Sequence, residues 1–278
     1  MNDMKDLPYD NMIANIQFEL KSYLEKNKLK SLVLGISGGI DSALCAAIAK
    51  PVCDKLKIPL IGRSIPISTN TADERKRADL IGKAFCTDYD EVSVLQDPYE
   101  GLWDALQHET WDTGSTNEPI RRGNVKARMR MIYLYDLAQV HGGMVLSTDN
   151  YTEYLLGFWT LHGDVGDYGM LQNLWKTEVY DMAEHLASTL KKKKAKALTS
   201  CITCQATDGL GISKTDLDQI VPGWKGTSRV GYEDVDEKLK QHLNGKVRFP
   251  GMDPVVRRHR NTEFKRNNPF NIPRNKIL

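Results

Sequence analysis

A chain of 278 residues with 41% hydrophobic content is long enough to bury one sizeable core. Its 38 lysine and arginine residues nearly balance 36 aspartate and glutamate residues, so the charge gives no indication of a nucleic-acid-binding surface. The charged N-terminus shows no signal peptide, no apolar run approaches a membrane span, and five scattered cysteines suit a reducing compartment. We therefore expect a cytoplasmic protein that binds neither membranes nor nucleic acid.

Hydrophobic periodicity predicts alternating helices and strands over most of the chain. The alternation predicts an α/β fold, an open and mainly parallel sheet with helices on both faces. Predicted strands lie at residues 31–36, 58–66, 89–94 and 144–148. Predicted helices lie at 9–27, from Asp41 to a kink or end at Pro51, from a capped start at 71–74, and at 125–140 and 176–190, with an exposed loop at 110–123.

The pattern changes after Lys176. The predicted helix there leads into a lysine run at 191–194, interpreted as a solvated helix end, and then into a loop that contains Cys201 and Cys204. From Tyr232 onward the chain is predicted to be helical, polar and finally basic. No repeat and no long flexible linker separates these segments, so we expect one domain. The expected division is a core at about 10–190 and a C-terminal lid and helical extension at about 191–278, within a single domain over 1–278.

A loop rich in serine and glycine joins the first predicted strand to the helix that follows it. Residues 37–42 read SGGIDS, and ligands of open α/β sheets bind where strands end. Two glycines let backbone N–H groups converge on an anion beside a helix N-terminus. Asp41 would repel a phosphate unless it binds Mg²⁺, so the loop predicts metal-assisted binding of a nucleotide phosphate. The alternative is an ordinary helix N-cap at Ser37 or Asp41.

The loop resembles the pyrophosphate-binding loop of the N-type ATP pyrophosphatases, which share an adenine nucleotide alpha hydrolase-like fold and cleave ATP between the α- and β-phosphates. Further motifs follow it in order and spacing, and together they resemble the ammonia-dependent NAD synthetase family over about residues 16–186. These motifs are GNVKAR at 123–128, STDN at 147–150, EYLLGF at 153–158, GD at 163–164 and WKTEV at 175–179, with a weaker echo in EFKR at 263–266.

The resemblance implies roles for individual residues. Asp41 and Lys176 are implied to be catalytic, and Asp41 and Glu153 to hold Mg²⁺. The implied ATP contacts are Gly35, Ile36, Ser37, Gly38, Gly39, Ile40, Asp41, Ser42, Thr148, Lys176 and Thr207. The implied contacts to deamido-NAD are Arg128, His162, Asp167, Phe264 and Lys265, with His162 as the stand-in for a family lysine at 161–162. Members of the family are homodimers, so a homodimer is implied as well.

The resemblance also implies a reaction. The carboxylate of deamido-NAD attacks the α-phosphorus of ATP, and ammonia then displaces AMP from the acyl-adenylate to give NAD. No glutaminase domain precedes the loop, so free ammonia or ammonia from a separate protein is expected. The alternatives are a tRNA-thiolating ATP pyrophosphatase, in which Cys201 and Cys204 function and the lysine run contacts RNA, and a nucleotide-binding regulatory module without catalysis. A single CxxC is otherwise predicted to be structural or incidental.

Overall fold

A parallel sheet forms the centre of the computed structural model, which describes residues 8–108, 117–207, 209–249 and 251–277. The described part of the chain contributes five strands in the order β3-β2-β1-β4-β5, and every neighbouring pair is parallel. The predicted fold class, an open parallel sheet with helices on both sides, is therefore confirmed. The strands are β1 (Leu32–Gly35), β2 (Leu60–Ser64), β3 (Asp88–Glu91), β4 (Met144–Ser147) and β5 (Tyr168–Gly169).

Helices cover both faces of the sheet because its central strands alternate between two cores. Leu32 and Leu34 of β1 belong to one core, and Val33 between them belongs to the other. The larger core contains residues of α1, α2, α3, α7, α8 and α9, and the smaller one residues of α4 and α5. The helices are α1 (Tyr9–Lys26), α2 (Ile40–Leu56), α3 (Ala72–Phe85), α4 (Gln96–His108), α5 (Glu118–Val140), α6 (Tyr151–Leu156), α7 (Lys176–Thr189), α8 (Lys192–Ile202), α9 (Ser228–Leu243), α10 (Pro254–Asn261) and α11 (Glu263–Arg266).

Strand order positions the site. The chain runs from β1 outward through β2 to β3, then returns to place β4 on the other side of β1. Such a reversal leaves a crevice between the loops that follow the two strands, and ligands of open α/β folds bind there. The loop after β1 and the loop after β4 therefore flank one crevice.

Several predicted elements need correction. Pro51 does not end α2, and the helix continues through it to Leu56. The buried residues Val52 and Cys53 pack into the core and hold this last part of the helix. The predicted loop at 110–123 is wrong from Glu118 onward, where α5 begins, and residues 109–116 lie outside the described part. Helix α4 and strand β5 were not predicted from the sequence.

The cysteine region differs too. Cys201 lies in α8 rather than in a loop, and it is fully buried, because Ala197, Leu198 and Cys201 form the apolar side of that helix. The lysine run starts α8 instead of ending a helix. No helix in the described ranges is both long and apolar enough to cross a membrane. The division into a core and an extension stays a prediction.

Candidate functional site

The loop between β1 and α2 is a compact turn that only glycine can complete. Gly38 has a φ of 83°, and a Cβ there would lie 2.3 Å from the carbonyl oxygen of Glu74. The hydroxyl oxygens of Ser37 and Ser42 lie 3.1 Å apart, and the Gly39 N–H donates to Ser37 Oγ. The turn thus sits tightly against the start of α3 while Asp41 stands in the first turn of α2.

The acidic residues of the predicted metal site meet at a lysine. Lys176 Nζ lies 2.6 Å from Asp41 Oδ2 and 2.9 Å from Glu153 Oε1. Asn150 Nδ2 donates to the other oxygen of Asp41 at 2.8 Å. Asn150 also forms a reciprocal capping box with Glu153 at the start of α6. Three elements, α2, α6 and α7, therefore bring one ammonium group and two carboxylates together.

Burial makes this cluster electrostatically strong. The side chain of Lys176 is only 2% exposed. Burial lowers the pKa of Lys176, but the carboxylates of Asp41 and Glu153 outweigh it and hold that pKa well above its usual value. Burial raises the pKa of Glu153, opposed mainly by the Lys176 ammonium. Because the two groups are in contact, we interpret the pair as an ammonium facing carboxylates.

The donor set is compatible with a divalent cation. Asp41 and Glu153 both contact the same ammonium group, and carboxylate oxygens are the ligands that Mg²⁺ prefers. No group of three or more histidine, cysteine or acidic residues in the described ranges is arranged to hold a metal. A Mg²⁺ ion held by these two carboxylates would therefore need phosphate or water oxygens as its other ligands, as nucleotide-bound Mg²⁺ usually has.

A cavity of about 490 Å³ extends from this cluster. Of the predicted ATP contacts, all except Gly38 line it. Thr207 reaches it from the segment after α8 and donates a hydrogen bond to Glu74. These lining residues are Gly35, Ile36, Ser37, Gly39, Ile40, Asp41, Ser42, Thr148, Lys176 and Thr207, together with the predicted metal ligand Glu153.

The residues predicted for deamido-NAD are not gathered in the same way. Lys265 lines the cavity and donates to the Gly157 carbonyl at 2.7 Å, but the other four do not line it. Arg128 Nη2 donates to the Leu161 carbonyl, and Phe264 is 60% exposed. Their assignment to the substrate stays a prediction.

Asp167 and His162 are likewise occupied locally. The carboxylate of Asp167 accepts from the Val145 N–H at 3.0 Å and from the Tyr135 hydroxyl at 2.9 Å, which fixes it to β4 and α5. His162 has a φ of 52°, and its Nε2 lies 3.3 Å from Asn268 Nδ2. The predicted acceptor side is therefore dispersed over the surface of one chain.

Three acidic residues near the site were not predicted as site residues. Asp149 and Asp164 line the cavity, and burial raises the pKa of Asp149 to about 7 although the Ser147 hydroxyl opposes it. Asp149 is the second residue after β4, so its position near a strand end was a usable signal. Asp236 of α9 gave no such signal: its carboxylate accepts from the Thr152 hydroxyl and from the Thr177 N–H at 2.9 Å.

The two cysteines of the CxxC motif differ in exposure. Cys201 is buried in the core, whereas Cys204 lines the cavity and its thiol donates to the Cys201 carbonyl. Burial raises the pKa of Cys201 to about 12 and also raises that of Cys204. Both are free thiols, so the motif shows neither a disulfide nor an activated thiolate.

Comparison with known proteins gives consistent matches along the chain. A family model described as NAD synthase matches residues 12–269. The chain is 31% identical to an NH(3)-dependent NAD(+) synthetase of Finegoldia magna, covering 93% of this chain and 94% of that one. It is 30% identical to a protein of the same name from Pyrococcus furiosus, covering 96% of both chains.

Solved structures share the fold. An NMN synthetase from Francisella tularensis superposes with a TM-score of 0.77 at 24% identity, covering 97% of this chain and all of that one. An NH3-dependent NAD synthetase from Campylobacter jejuni superposes with a TM-score of 0.66 at 21% identity, covering 96% of this chain and all of that one. At these identities the likeness describes architecture.

Proposed function

This chain belongs to the NAD synthase family, and we propose that it amidates the nicotinate carboxylate of deamido-NAD with ammonia, at the expense of ATP. Members of the family are ligases that make NAD and use ATP as co-substrate. The products of the proposed reaction are NAD, AMP and pyrophosphate. One observation carries the proposal: Asp41, Glu153 and Lys176 converge in the cavity that the SGGIDS loop lines.

The chemistry follows from what these groups can do. The backbone of the loop and the start of α2 favour phosphate oxygens. Mg²⁺ held by Asp41 and Glu153 would neutralise charge on those phosphates. Lys176 stands beside this point, where its ammonium can balance the charge that grows on departing pyrophosphate. Positioning and charge stabilisation then dominate the adenylylation step, because a carboxylate nucleophile needs no proton removed.

The second step needs ammonia at the acyl-adenylate. Ammonia attacks the carbonyl carbon, the bond to AMP breaks, and a proton leaves the new amide nitrogen. We expect free ammonia or ammonia from a separate protein to serve, and we place the reaction in the cytoplasm. A homodimer is expected from the same resemblance, and exposed apolar side chains on α5 offer a surface for it: Ile132 is 69% exposed and Val140 is 71% exposed.

A smaller acceptor, nicotinic acid mononucleotide, is a second candidate. Leu161 brings no charge to the place of a family lysine, and Arg128 and Asp167 are held by local partners instead of facing the cavity. The adenylyl half of a dinucleotide would therefore find few charged contacts within one chain. The Francisella tularensis protein of the same fold is named an NMN synthetase. Nicotinic acid mononucleotide is the acid that corresponds to NMN, so it is the compound to test.

The deciding experiment incubates the protein with ATP, Mg²⁺, ammonia and either deamido-NAD or nicotinic acid mononucleotide. We expect AMP and the matching amide to form in equal amounts. A kcat/KM at least about tenfold higher for one acid, equivalent to 1.4 kcal/mol, would identify the acceptor. If no AMP is released with either acid, the proposal is contradicted.

The tRNA-thiolating alternative is not favoured, because the family match points to NAD synthesis and the thiols are not activated. Replacing Cys204 by Ser tests it directly. We expect turnover within about twofold of the unmodified protein, since a serine hydroxyl can still donate to the Cys201 carbonyl. Loss of turnover, together with an iron–sulfur chromophore, would revive the alternative.

A further inference from the structure

Three cationic side chains and one histidine of the C-terminal segment point at the carboxyl end of the short helix α6. This helix has six residues, and Glu153 stands in its first turn. At its far end, successive backbone carbonyls accept hydrogen bonds from residues that lie about a hundred positions later in the chain. The pairs are His259 Nδ1 and Arg266 Nη1 with Leu155 O, Arg258 Nε with Leu156 O, and Lys265 Nζ with Gly157 O.

Such contacts matter for a helix this short. A six-residue helix is far below the length that is stable by itself, so its position depends on its surroundings. The last carbonyls of any helix lack partners inside it, and cations near them are favoured by the helix dipole. Here the C-terminal segment supplies those partners.

The contacts lead back to Glu153 through the helix cap. Gly157 has a φ of 65°, and the N–H groups of Gly157 and Phe158 both donate to the carbonyl of Glu153 itself. Thr262 packs on this cap so closely that a Cβ at Gly157 would lie 2.5 Å from Thr262 Cβ. The guanidinium of Arg258 lies 4.0 Å from the centre of the Phe158 ring. Displacing the cap would therefore displace the backbone of Glu153.

Arg266 makes the connection with a single planar group. Its Nη1 donates to Leu155 O at 2.7 Å and its Nη2 to His259 O at 2.6 Å, so one guanidinium joins the end of α6 to α10. Arg258 and Lys265 line the cavity, whereas Arg266 does not. Arg266 therefore acts on a ligand through the elements that it joins, and of these α6 carries Glu153.

We propose that Arg266 is a positioning residue that fixes α6 from its carboxyl end and so holds Glu153 in place for the metal–nucleotide complex. This inference rests on the proposed function, because it assigns Glu153 to Mg²⁺. Partners behind metal ligands commonly change metal affinity by about 10- to 100-fold. The C-terminal segment then contributes to the ATP side of the site as well as to the acceptor side.

The test compares Arg266→Ala with Arg260→Ala, a matched loss of an exposed arginine from the neighbouring helix α10. The probe is Mn²⁺ with α,β-methylene ATP, which cannot be cleaved, and its binding is measured by calorimetry. We expect Arg266→Ala to raise the dissociation constant about tenfold and Arg260→Ala to leave it unchanged. Arg266→Lys should fall between them, because an ammonium lacks the planar fork of a guanidinium.

Hydrogen exchange provides a readout that needs no ligand. We expect Arg266→Ala to speed exchange of the Gly157 and Phe158 amides about tenfold while the amides of α5 keep their protection. Unchanged exchange at these two amides would overturn the proposal. Faster exchange there without a change in Mn²⁺–nucleotide binding would overturn it as well. If the unmodified protein binds no Mn²⁺–nucleotide, the assignment of Glu153 in the proposed function fails, and the positioning role tied to it is overturned whatever the exchange shows.

Discussion

The two sides of the cavity are built in different ways. On the phosphate side, the ends of β1 and β4 and the starts of three helices bring Asp41, Glu153 and Lys176 into direct contact, and Lys176 is almost fully buried. On the acceptor side, Arg128, His162, Asp167 and Phe264 lie outside the cavity, and all but Phe264 are held by nearby backbone or side chains. The residues predicted for the phosphates are thus gathered within one chain, and most of those predicted for the acceptor are not.

This difference separates two kinds of information. Chemistry at the end of a parallel strand is fixed by the sheet, so the fold alone assembles it. The residues predicted to recognise the acceptor lie instead on α5, on loops and on the C-terminal segment, and several of them have other partners in a single chain. Substitutions on the phosphate side should therefore lower the turnover rate by large factors. Substitutions on the acceptor side should have smaller effects and should mainly raise the KM for the acceptor.

The largest effect is expected for Asp41→Ala. Without this carboxylate Lys176 loses one of its two carboxylate partners, and the proposed metal loses one of two protein ligands. AMP formation should fall by about 10³-fold or more, which corresponds to roughly 4 kcal/mol of transition-state stabilisation. Steady-state AMP release measures this, and thermal unfolding should show an intact fold. Turnover near the unmodified level would remove Asp41 from the chemistry.

Lys176→Met should come next, with turnover about 10²-fold lower. It also leaves Asp41 and Glu153 buried without their shared cation, which costs about 3 kcal/mol of stability at pH 8. The pKa of Glu153 is already raised by burial, and losing Lys176 raises it further. When the pKa of a carboxyl group is higher in the folded state than in the unfolded state, the folded protein binds more protons. The free energy of unfolding therefore falls as pH increases toward the folded-state pKa.

The pH dependence gives the control for that variant. Denaturant unfolding should show Lys176→Met closer to the unmodified protein at pH 6 than at pH 8. An equal loss of stability at both pH values would indicate that lost packing of the lysine stem, and not its charge, was responsible.

Asp236→Ala should destabilise the fold by about 2 kcal/mol, because the buried Thr177 N–H loses its acceptor. Asp236 stands behind the phosphate side, where the Thr152 hydroxyl in turn accepts from the Lys176 N–H. Asp236→Asn keeps one acceptor oxygen and should recover about half of the loss. Denaturant unfolding measures both variants, and equal stability of Ala and Asn would contradict the hydrogen-bond explanation.

The smallest effect is expected on the acceptor side. Arg128→Ala removes a charged donor to the Leu161 carbonyl, so the acceptor KM should rise by up to about tenfold while the KM for ATP stays unchanged. Initial rates with either substrate varied separately measure the two constants. A fall in kcat instead would place Arg128 on the phosphate side and end the contrast between the two regions.

Local patterns were enough to predict a parallel sheet and four of its five strands in the described residues. Short apolar runs predicted β1 and β4, and the parallel order brings the segments that follow these strands to one edge, where Asp41 and Asp149 line the cavity. The motif order then added Glu153 and Lys176 through resemblance. Burial of the central strands on both faces explains why this part of the fold was readable from sequence.

Long-range contacts were not readable in this way. Asp236 meets Thr152 across 84 positions, and the caps on α6 come from residues beyond 254, with no periodic signal linking either pair. Cys201 looked like part of a loop because a run of lysines precedes it, yet tertiary packing of its apolar side overrides the unfavourable charges at the start of α8.

The position of Lys176 has a consequence for how the protein can be handled. Its ammonium supplies both Asp41 and Glu153 with a counter-charge from within the chain, so this edge of the sheet does not depend on a dissolved ion in order to fold. A chelator such as EDTA should therefore stop product formation while leaving the melting temperature within about 1 °C. Purification in chelating buffers would yield intact protein that regains activity when magnesium salt is returned.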